Sequence, residues 1–275
     1  MNFMISRNEF RKALNKVKGI PAKSSTVPVL NHLLLKIEGE SIFITASDLE
    51  MWLRVNVKAE VFDEGSITIP AEPFFKIIDK LPDENVSLEL QENEKAKITC
   101  GNVTFNVSGL SGEEYPNPPD DLEGSKFTIS SKTLKGLLEK TLFAASKDES
   151  RHSMSGVRIE IFGEDGSKTI RMVATDGRRL AVSDTVSSNG VPVLEGITIP
   201  LKGSLALLRM AREPGDEIEL SINGHNLSAG KNNERIVIRL IAEEFPNYKQ
   251  AIEGVEGKVI SSDRKALRES LERIL

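Results

Sequence analysis

Apolar positions along the chain recur with two different periods. After Ser6-Arg7-Asn8-Glu9, which has capping-box spacing, Phe10, Leu14 and Val17 fall at i, i+4 and i+7, predicting an amphipathic helix over 6–18. Residues 20–28 hold two prolines and two serines and read as a loop, whereas 29–37, 42–45 and 51–61 read as strands, the first two joined by a turn at Gly39. After Pro70, a second helix is marked by Phe74, Phe75, Ile77, Ile78 and Leu81. The runs 86–90, 96–100 and 103–110 then complete an antiparallel set, with Cys100 expected half-buried in its strand.

The same order of elements is then written again, about 125 to 130 residues later. Asn2-Phe3-Met4-Ile5-Ser6 is answered by Lys126-Phe127-Thr128-Ile129-Ser130, and Ser66-Ile67-Thr68-Ile69-Pro70 by Gly196-Ile197-Thr198-Ile199-Pro200. Ser47-Asp48 is answered by Thr175-Asp176, and Glu114-Tyr115-Pro116-Asn117 by Glu244-Phe245-Pro246-Asn247. A period this long is that of a whole domain, not of a solenoid. The proline- and acid-rich 115–124 reads as the linker. Lys258-Val259-Ile260-Ser261 starts a third copy as a strand, followed by a helix over 263–275 with Leu267, Leu271 and Ile274 inward. The domains expected are 1–124, 125–252 and an incomplete 253–275, the first two with a core each, and each repeat reads as two helices over two small antiparallel sheets, an α+β fold.

Composition narrows the function classes. No apolar run approaches the roughly 20 residues of a membrane span, and the N-terminus shows no cleavable signal, so the chain reads as soluble and cytoplasmic. One cysteine and three scattered histidines exclude a disulfide framework and metal-ligand spacing. The net charge of −5 argues against a positive coat, yet the cations cluster on helices. Arg7, Arg11, Lys12, Lys16 and Lys18 face outward on the first helix. Lys132, Lys135 and Lys140 do so on the third, where Leu134, Leu137 and Leu138 turn inward. Lys202, Arg209 and Arg212 do so on the fourth, where Leu205, Leu208, Met210 and Ala211 turn inward. A solvated lysine-rich helix explains any one of these; recurrence in both repeats favours one basic surface.

Catalytic signatures are missing. Asp176 beside Arg178 and Arg179, or Asp48 beside Glu50, has no recurring histidine or paired carboxylate, His152-Ser153 follows a charged loop and not a nucleophile elbow, and no phosphate-binding glycine loop occurs. The chain reads as a non-enzyme that needs no cofactor.

Pro28-Val29-Leu30 with Leu33-Leu34-Leu35, Ser47-Asp48-Leu49-Glu50, Glu114-Tyr115-Pro116, Phe143 through Arg151 to Ser155-Gly156-Val157, and Ala174-Thr175-Asp176-Gly177-Arg178-Arg179-Leu180-Ala181 together resemble the bacterial DNA polymerase III beta subunit, the sliding-clamp family. The resemblance runs the length of the chain. It implies tandem clamp domains, three per chain, closing head to tail into a ring with helices on the inner wall and continuous sheet around the rim. It also implies sequence-independent binding of double-stranded DNA, with the replicative polymerase, the clamp loader and other clamp-binding-motif proteins as partners. By position, Lys12 and Lys202 fall where the family's inner-face cations lie, with Arg11 and Arg209 on the same helices, and Lys23 falls near a loop cation. Lys147, Arg151 and His152 lie in a further DNA-contacting loop, where His152 and Ser153 replace common aromatic residues. Met154, Thr175, Gly177, Arg178, Arg179, Leu180 and Pro246 fall at a hydrophobic cleft for partner peptides. Arg178, standing where histidine is common, and Gln250-Ala251, standing where a basic and a larger apolar residue are often found, imply an altered partner preference.

The family's third domain is barely begun here, so the expectation is that this chain by itself does not close the usual dimer. A fragment, a ring of three two-domain copies and a non-encircling peptide-binding scaffold are the readings left open.

Overall fold

Both periods resolve into elements in the computed structural model, which describes all residues except 23–25, 120–123, 149, 165, 188–189, 254–256, 258–259 and 275. The first repeat comprises β1 (Asn2–Ser6), α1 (Arg7–Val17), β2 (His32–Glu38), β3 (Ser41–Ser47), β4 (Met51–Lys58), β5 (Glu60–Asp63) and β6 (Gly65–Pro70). It continues with α2 (Ala71–Lys80), β7 (Asn85–Gln91), β8 (Lys95–Cys100), β9 (Val103–Ser108) and β10 (Leu110–Ser111). The second comprises β11 (Ser125–Ser130), α3 (Ser131–Thr141), β12 (Gly156–Glu164), β13 (Ser167–Thr175), β14 (Leu180–Ser187) and β15 (Leu194–Pro200), then α4 (Leu201–Arg212), β16 (Glu217–Ile222), β17 (Asn226–Lys231) and β18 (Glu234–Arg239). Two compact units are distinguished, Met1–Phe245 and Pro246–Leu275.

Two runs expected as single strands change sheets midway, as strands do at the corners of packed sheets. Residues 51–61 split after Lys58: β4 pairs β3, while β5 pairs β1 in a different sheet. Residues 103–110 split at Gly109, where a Cβ would lie 2.1 Å from the carbonyl oxygen of Thr68. Val29 to Asn31 belong to a 3-10 turn opened by Pro28, so the strand expected from residue 29 begins at His32. Cys100 is fully buried, not half-buried, because β8 is flanked by β7 and β9; burial pushes its thiol pKa up.

Within the first unit the helical stripes bury what their spacing requires, except at Leu205. α1 buries Phe10, Ala13, Leu14 and Val17, and Phe10 makes edge-to-face contacts with Phe3 and Phe74 at 5.8 and 5.6 Å. α3 buries Leu134, Leu137 and Leu138. On α4 the inward stripe runs through Gly203, Ser204, Leu207, Leu208 and Ala211. Leu205, expected inward, is 51% exposed, since it lies three residues after Lys202 and four before Arg209 on the cationic face.

The repeats join edge to edge. β4 pairs β18 antiparallel, Met51 opposite Ile238 and Leu53 opposite Ile236, so that two sheets become one of nine strands, β10-β6-β2-β3-β4-β18-β17-β16-β11. Flanking it are β5-β1-β7-β8-β9 and β14-β13-β12-β15. The buried apolar side chains of both repeats accordingly form one continuous cluster where two cores were expected. Lys16 of α1 reaches across to Glu234 of β18 at 2.5 Å. Lys231, 5% exposed, donates to the carbonyls of Met210 (3.1 Å) and Glu213 (2.5 Å), capping the negative end of α4.

The second unit holds one helical turn, α5 (Lys249–Ile252), and α6 (Arg264–Glu272), whose N-cap Asp263 accepts from Ala266 N at 2.9 Å. Of the strand expected over 258–261, Lys258 and Val259 lie outside the described residues, and Ile260 and Ser261 belong to no strand. Leu267, Leu271 and Ile274 are 51, 54 and 83% exposed, contrary to the inward expectation; the unit contains no sheet for that stripe to cover among its described residues.

The repeat is reproduced at the level of single hydrogen bonds. Ser47 Oγ accepts from Leu49 N (3.0 Å) and Asp48 Oδ1 from Glu50 N and Met51 N (3.1 and 2.9 Å); Thr175 Oγ1 accepts from Gly177 N (3.1 Å) and Asp176 Oδ1 from Arg178 N and Arg179 N (3.0 Å each). The residue after each aspartate is left-handed, Leu49 at φ 72° and Gly177 at φ 83°. A side chain in that region costs about 1–2 kcal/mol, of which glycine's larger unfolded-state entropy takes back roughly half. Leu49→Gly is therefore expected to raise, and Gly177→Ala to lower, the unfolding free energy by about 0.5–1 kcal/mol each, measured by urea denaturation.

Candidate nucleic-acid and peptide interface

The end of α1 and the face of α4 are drawn together by their cations. Lys202 Nζ donates to the carboxylate of Asp48 and to the carbonyl of Ile20 (3.2 Å), and Arg209 reaches the carbonyl of Lys18 at 3.5 Å. Pairing is more extensive than charge patterning suggested: Lys12 meets Glu9 at 2.7 Å, Lys18 meets Asp79 at 3.6 Å and Arg212 meets Glu139 at 2.8 Å. Arg11 and Lys147 are exposed, and they and Arg209 have no carboxylate partner among the described residues. Lys23 lies outside the described residues.

The described residues of 146–155 form a loop closed by Ser146 N donating to Met154 O at 2.9 Å, with His152–Met154 as a 3-10 turn. His152 points outward. Asp148 accepts from the Ser150 hydroxyl at 2.7 Å and amide at 3.0 Å, which together with the nearby Arg151 hold its carboxyl below the usual range. Arg151 leaves this loop for the next turn, donating to the carbonyl of Asp176 at 2.9 Å. It thereby ties this loop to the turn after β13, a link that residue type alone does not reveal.

That turn has Thr175 buried beneath it, its hydroxyl donating to Arg179 O at 2.7 Å. The missing Cβ of Gly177 leaves room for Arg151 Nη1 and Met154 Sδ, which would sit 3.4 and 4.0 Å from it. Arg179 Nε binds Asp176 at 2.9 Å while its guanidinium lies 5.8 Å from the ring centroid of Phe143, an aromatic residue 59% exposed that sequence reasoning did not place at the site. Arg178 is exposed, and Leu180, half-buried, opens β14 opposite Thr175. Met154, Thr175, Gly177, Arg178, Arg179 and Leu180 are thus assembled in the first unit; Pro246 belongs to the second. Beside the turn lies a cavity of 270 Å³ lined by Lys147, Arg151, Arg178 and Arg179 with Asp148 and Asp176, more polar than the apolar floor expected there.

Neither aspartate is disposed as an acid or base. The amides of Arg178 and Arg179, with the Arg179 guanidinium, hold the Asp176 carboxyl below the ordinary range, and Asp48 is occupied by two amides and Lys202. Among the described residues no group of three or more histidine, cysteine or acidic side chains is placed to hold a metal ion, and no helix is long and apolar enough to cross a membrane.

Comparison with known proteins matches residues 1–119 to the N-terminal domain of the DNA polymerase III beta subunit and residues 128–247 to its central domain. The beta sliding clamp of Chlamydia muridarum is 32% identical over 274 residues, a match that takes in 100% of this chain and 74% of that protein. Among solved structures, Caulobacter crescentus pol III beta superposes with a TM-score of 0.93 at 28% identity, covering 99% of this chain and 74% of the other. A sliding clamp from Bartonella birtlesii bound to griselimycin gives 0.93 at 27% identity, covering 99% and 73%.

Thr175→Val removes both a donor and an acceptor beneath the turn, so a loss of about 1–3 kcal/mol in chemical denaturation is expected. Because the pKa of Asp176 is depressed in the folded chain, its contribution is present above the unfolded carboxylate range and lost as pH falls below it. Asp176→Asn should therefore flatten the acid limb of stability against pH and leave the slope near neutrality unchanged.

Proposed function

The chain belongs to the DNA polymerase III beta subunit family, the beta sliding clamps, and we propose from that premise how its residues carry a clamp's role as processivity factor. Duplex DNA of any sequence is held by enclosure while the replicative polymerase, the clamp loader and other motif-bearing proteins dock on the outside. The chain divides into clamp domains 1–124 and 125–252, with 253–275 the start of a further one.

The pairing of β4 with β18 carries this reading. It brings α4 of the second repeat beside the end of α1 of the first, where Lys202 reaches the carbonyl of Ile20 and Arg209 that of Lys18, and it is a junction that can be repeated. β9, the counterpart of β18, and β14, the counterpart of β4, both lie at sheet edges among the described residues. The same ladder is therefore available at both ends, as head-to-tail assembly of copies requires.

Arg11, Lys12, Lys147, Arg151, His152, Lys202 and Arg209 form the proposed DNA-facing set, together with Lys23. Lys12 and Lys202 already hold carboxylates, which limits them to water-separated attraction of phosphates. Each phosphate firmly neutralised would steepen the salt dependence by about 0.9 log unit and hinder sliding, so paired cations suit a mobile clamp. Met154, Thr175, Gly177, Arg178, Arg179 and Leu180 form the proposed peptide cleft in the first unit, with Arg151 bracing it; the family resemblance adds Pro246, which belongs to the second unit. No step of this function is catalytic.

Two measurements separate the surfaces. The double variant Arg11→Glu/Arg209→Glu should weaken duplex binding equally for all sequences and lower the slope of log K against log salt by up to about 2. Leu180→Ala should weaken capture of a polymerase-derived peptide by about tenfold and leave that slope untouched. Sequence-dependent loss in the first, or unchanged peptide capture in the second, contradicts the assignment.

A further inference from the structure

A second cavity lies on the opposite face of the nine-stranded sheet from α1, where the two repeats meet. Its volume is 240 Å³, and it is lined by Leu34, Phe43, Thr45, Trp52 and Val237 from the sheet and by Pro116, Asn117 and Pro118 from the covering segment, with Lys36, Glu38, Arg54 and Arg235 around the rim. At less than the roughly 300–1,000 Å³ of a cofactor pocket, it has room for one or two side chains. The covering segment is anchored by Tyr115, 3% exposed, whose hydroxyl donates to His32 O at 3.3 Å.

Two features of this cavity are unresolved in the free chain. The indole N–H of Trp52, a residue 92% buried, has no hydrogen-bond acceptor among the described residues. An orphaned buried donor costs about 1–3 kcal/mol. The rim is also electrostatically open, because Arg54 and Arg235 sit directly opposite each other in the β4–β18 ladder, where like charges repel. Glu38 holds both Lys36 (2.8 Å) and Arg54 (3.0 Å), and Arg54 stacks 3.8 Å over Phe43, which leaves the rim two positive charges in excess.

We propose that this cavity binds a short peptide segment of a partner protein in which an acidic residue precedes an aliphatic or aromatic one. The apolar side chain fills the space between Trp52, Phe43, Pro116 and Val237. The carboxylate lies between Arg54 and Arg235, and a peptide carbonyl, admitted by a small shift of the 116–118 segment, accepts from Trp52. The site has a precedent within the chain. Trp52 stands opposite Ser47 as Leu180 stands opposite Thr175, and Pro116 occurs where the second repeat has Pro246. The inference does not depend on the cleft assignment, since the cavity, the orphaned indole and the facing arginines are features of the first repeat junction itself.

Trp52 is the chain's one tryptophan, so its fluorescence reports on this cavity alone. Titration of the full chain with N-acetyl-Asp-Leu-Phe-amide should give a saturable change in emission, and N-acetyl-Lys-Leu-Phe-amide should bind about fivefold more weakly. Arg235→Glu, at an exposed position, should reverse that preference with unchanged far-ultraviolet circular dichroism, and Leu180→Ala should leave both titrations as they were. Trp52→Phe, followed by anisotropy of a labelled acidic peptide, should weaken binding by up to about tenfold. No saturable change at millimolar peptide, equal affinity for the two peptides, or a titration abolished by Leu180→Ala would overturn the proposal.

Discussion

The antiparallel ladder between β4 and β18 is the constraint on which the rest of the first unit depends. Asn56 N donates to Asn233 O at 2.9 Å and Arg239 N to Glu50 O at 2.8 Å, which places Trp52 with Val237 and Arg54 with Arg235 at the hydrogen-bonded positions between them. Because side chains alternate across a sheet, one register decides both faces at once. Met51, Leu53, Ile236 and Ile238 turn to the core under the helices, and Trp52, Arg54, Arg235 and Val237 turn to the cavity on the other side. A slip by one residue would bury the two arginines, so register is strongly specified.

That junction also explains how a net acidic chain presents cations without spreading them freely. Lys16 finds Glu234 on the other repeat and Lys202 finds Asp48, so charges drawn from separate domains are matched where the repeats meet. The aspartates in turn are fixed by backbone amides within their own turns. What remains without a carboxylate partner among the described residues includes Arg11, Arg209 and Lys147, the cations proposed to face DNA. Attraction that is weak at each point and spread over a surface suits a protein that holds DNA by enclosure.

Much of this was legible from spacing. The capping box before Phe10, the stripe through Leu134 and Leu138, and the paired Ser47-Asp48 and Thr175-Asp176 turns are local features, and local geometry is written in neighbouring residues. What was hidden depends on distant partners. Alternation over 51–61 cannot tell one strand from two that belong to different sheets, and Leu205 can be placed only once Gly203 is known to pack on Ile238. The role of Arg151 rests on a carbonyl 25 residues away. Fusion of two expected cores into one cluster is likewise a property of the β4–β18 pairing, which no single repeat encodes.

The claim that this ladder makes two repeats one structural unit is tested most directly by native-state hydrogen exchange. The amides of Trp52, Arg54, Arg235 and Val237 should exchange only through global unfolding, with the same free energy as the best-protected core amides in both repeats. Exchange of these four amides as fast as that of the edge strands β9 and β14, or unfolding of the repeats in two separable steps, would contradict it.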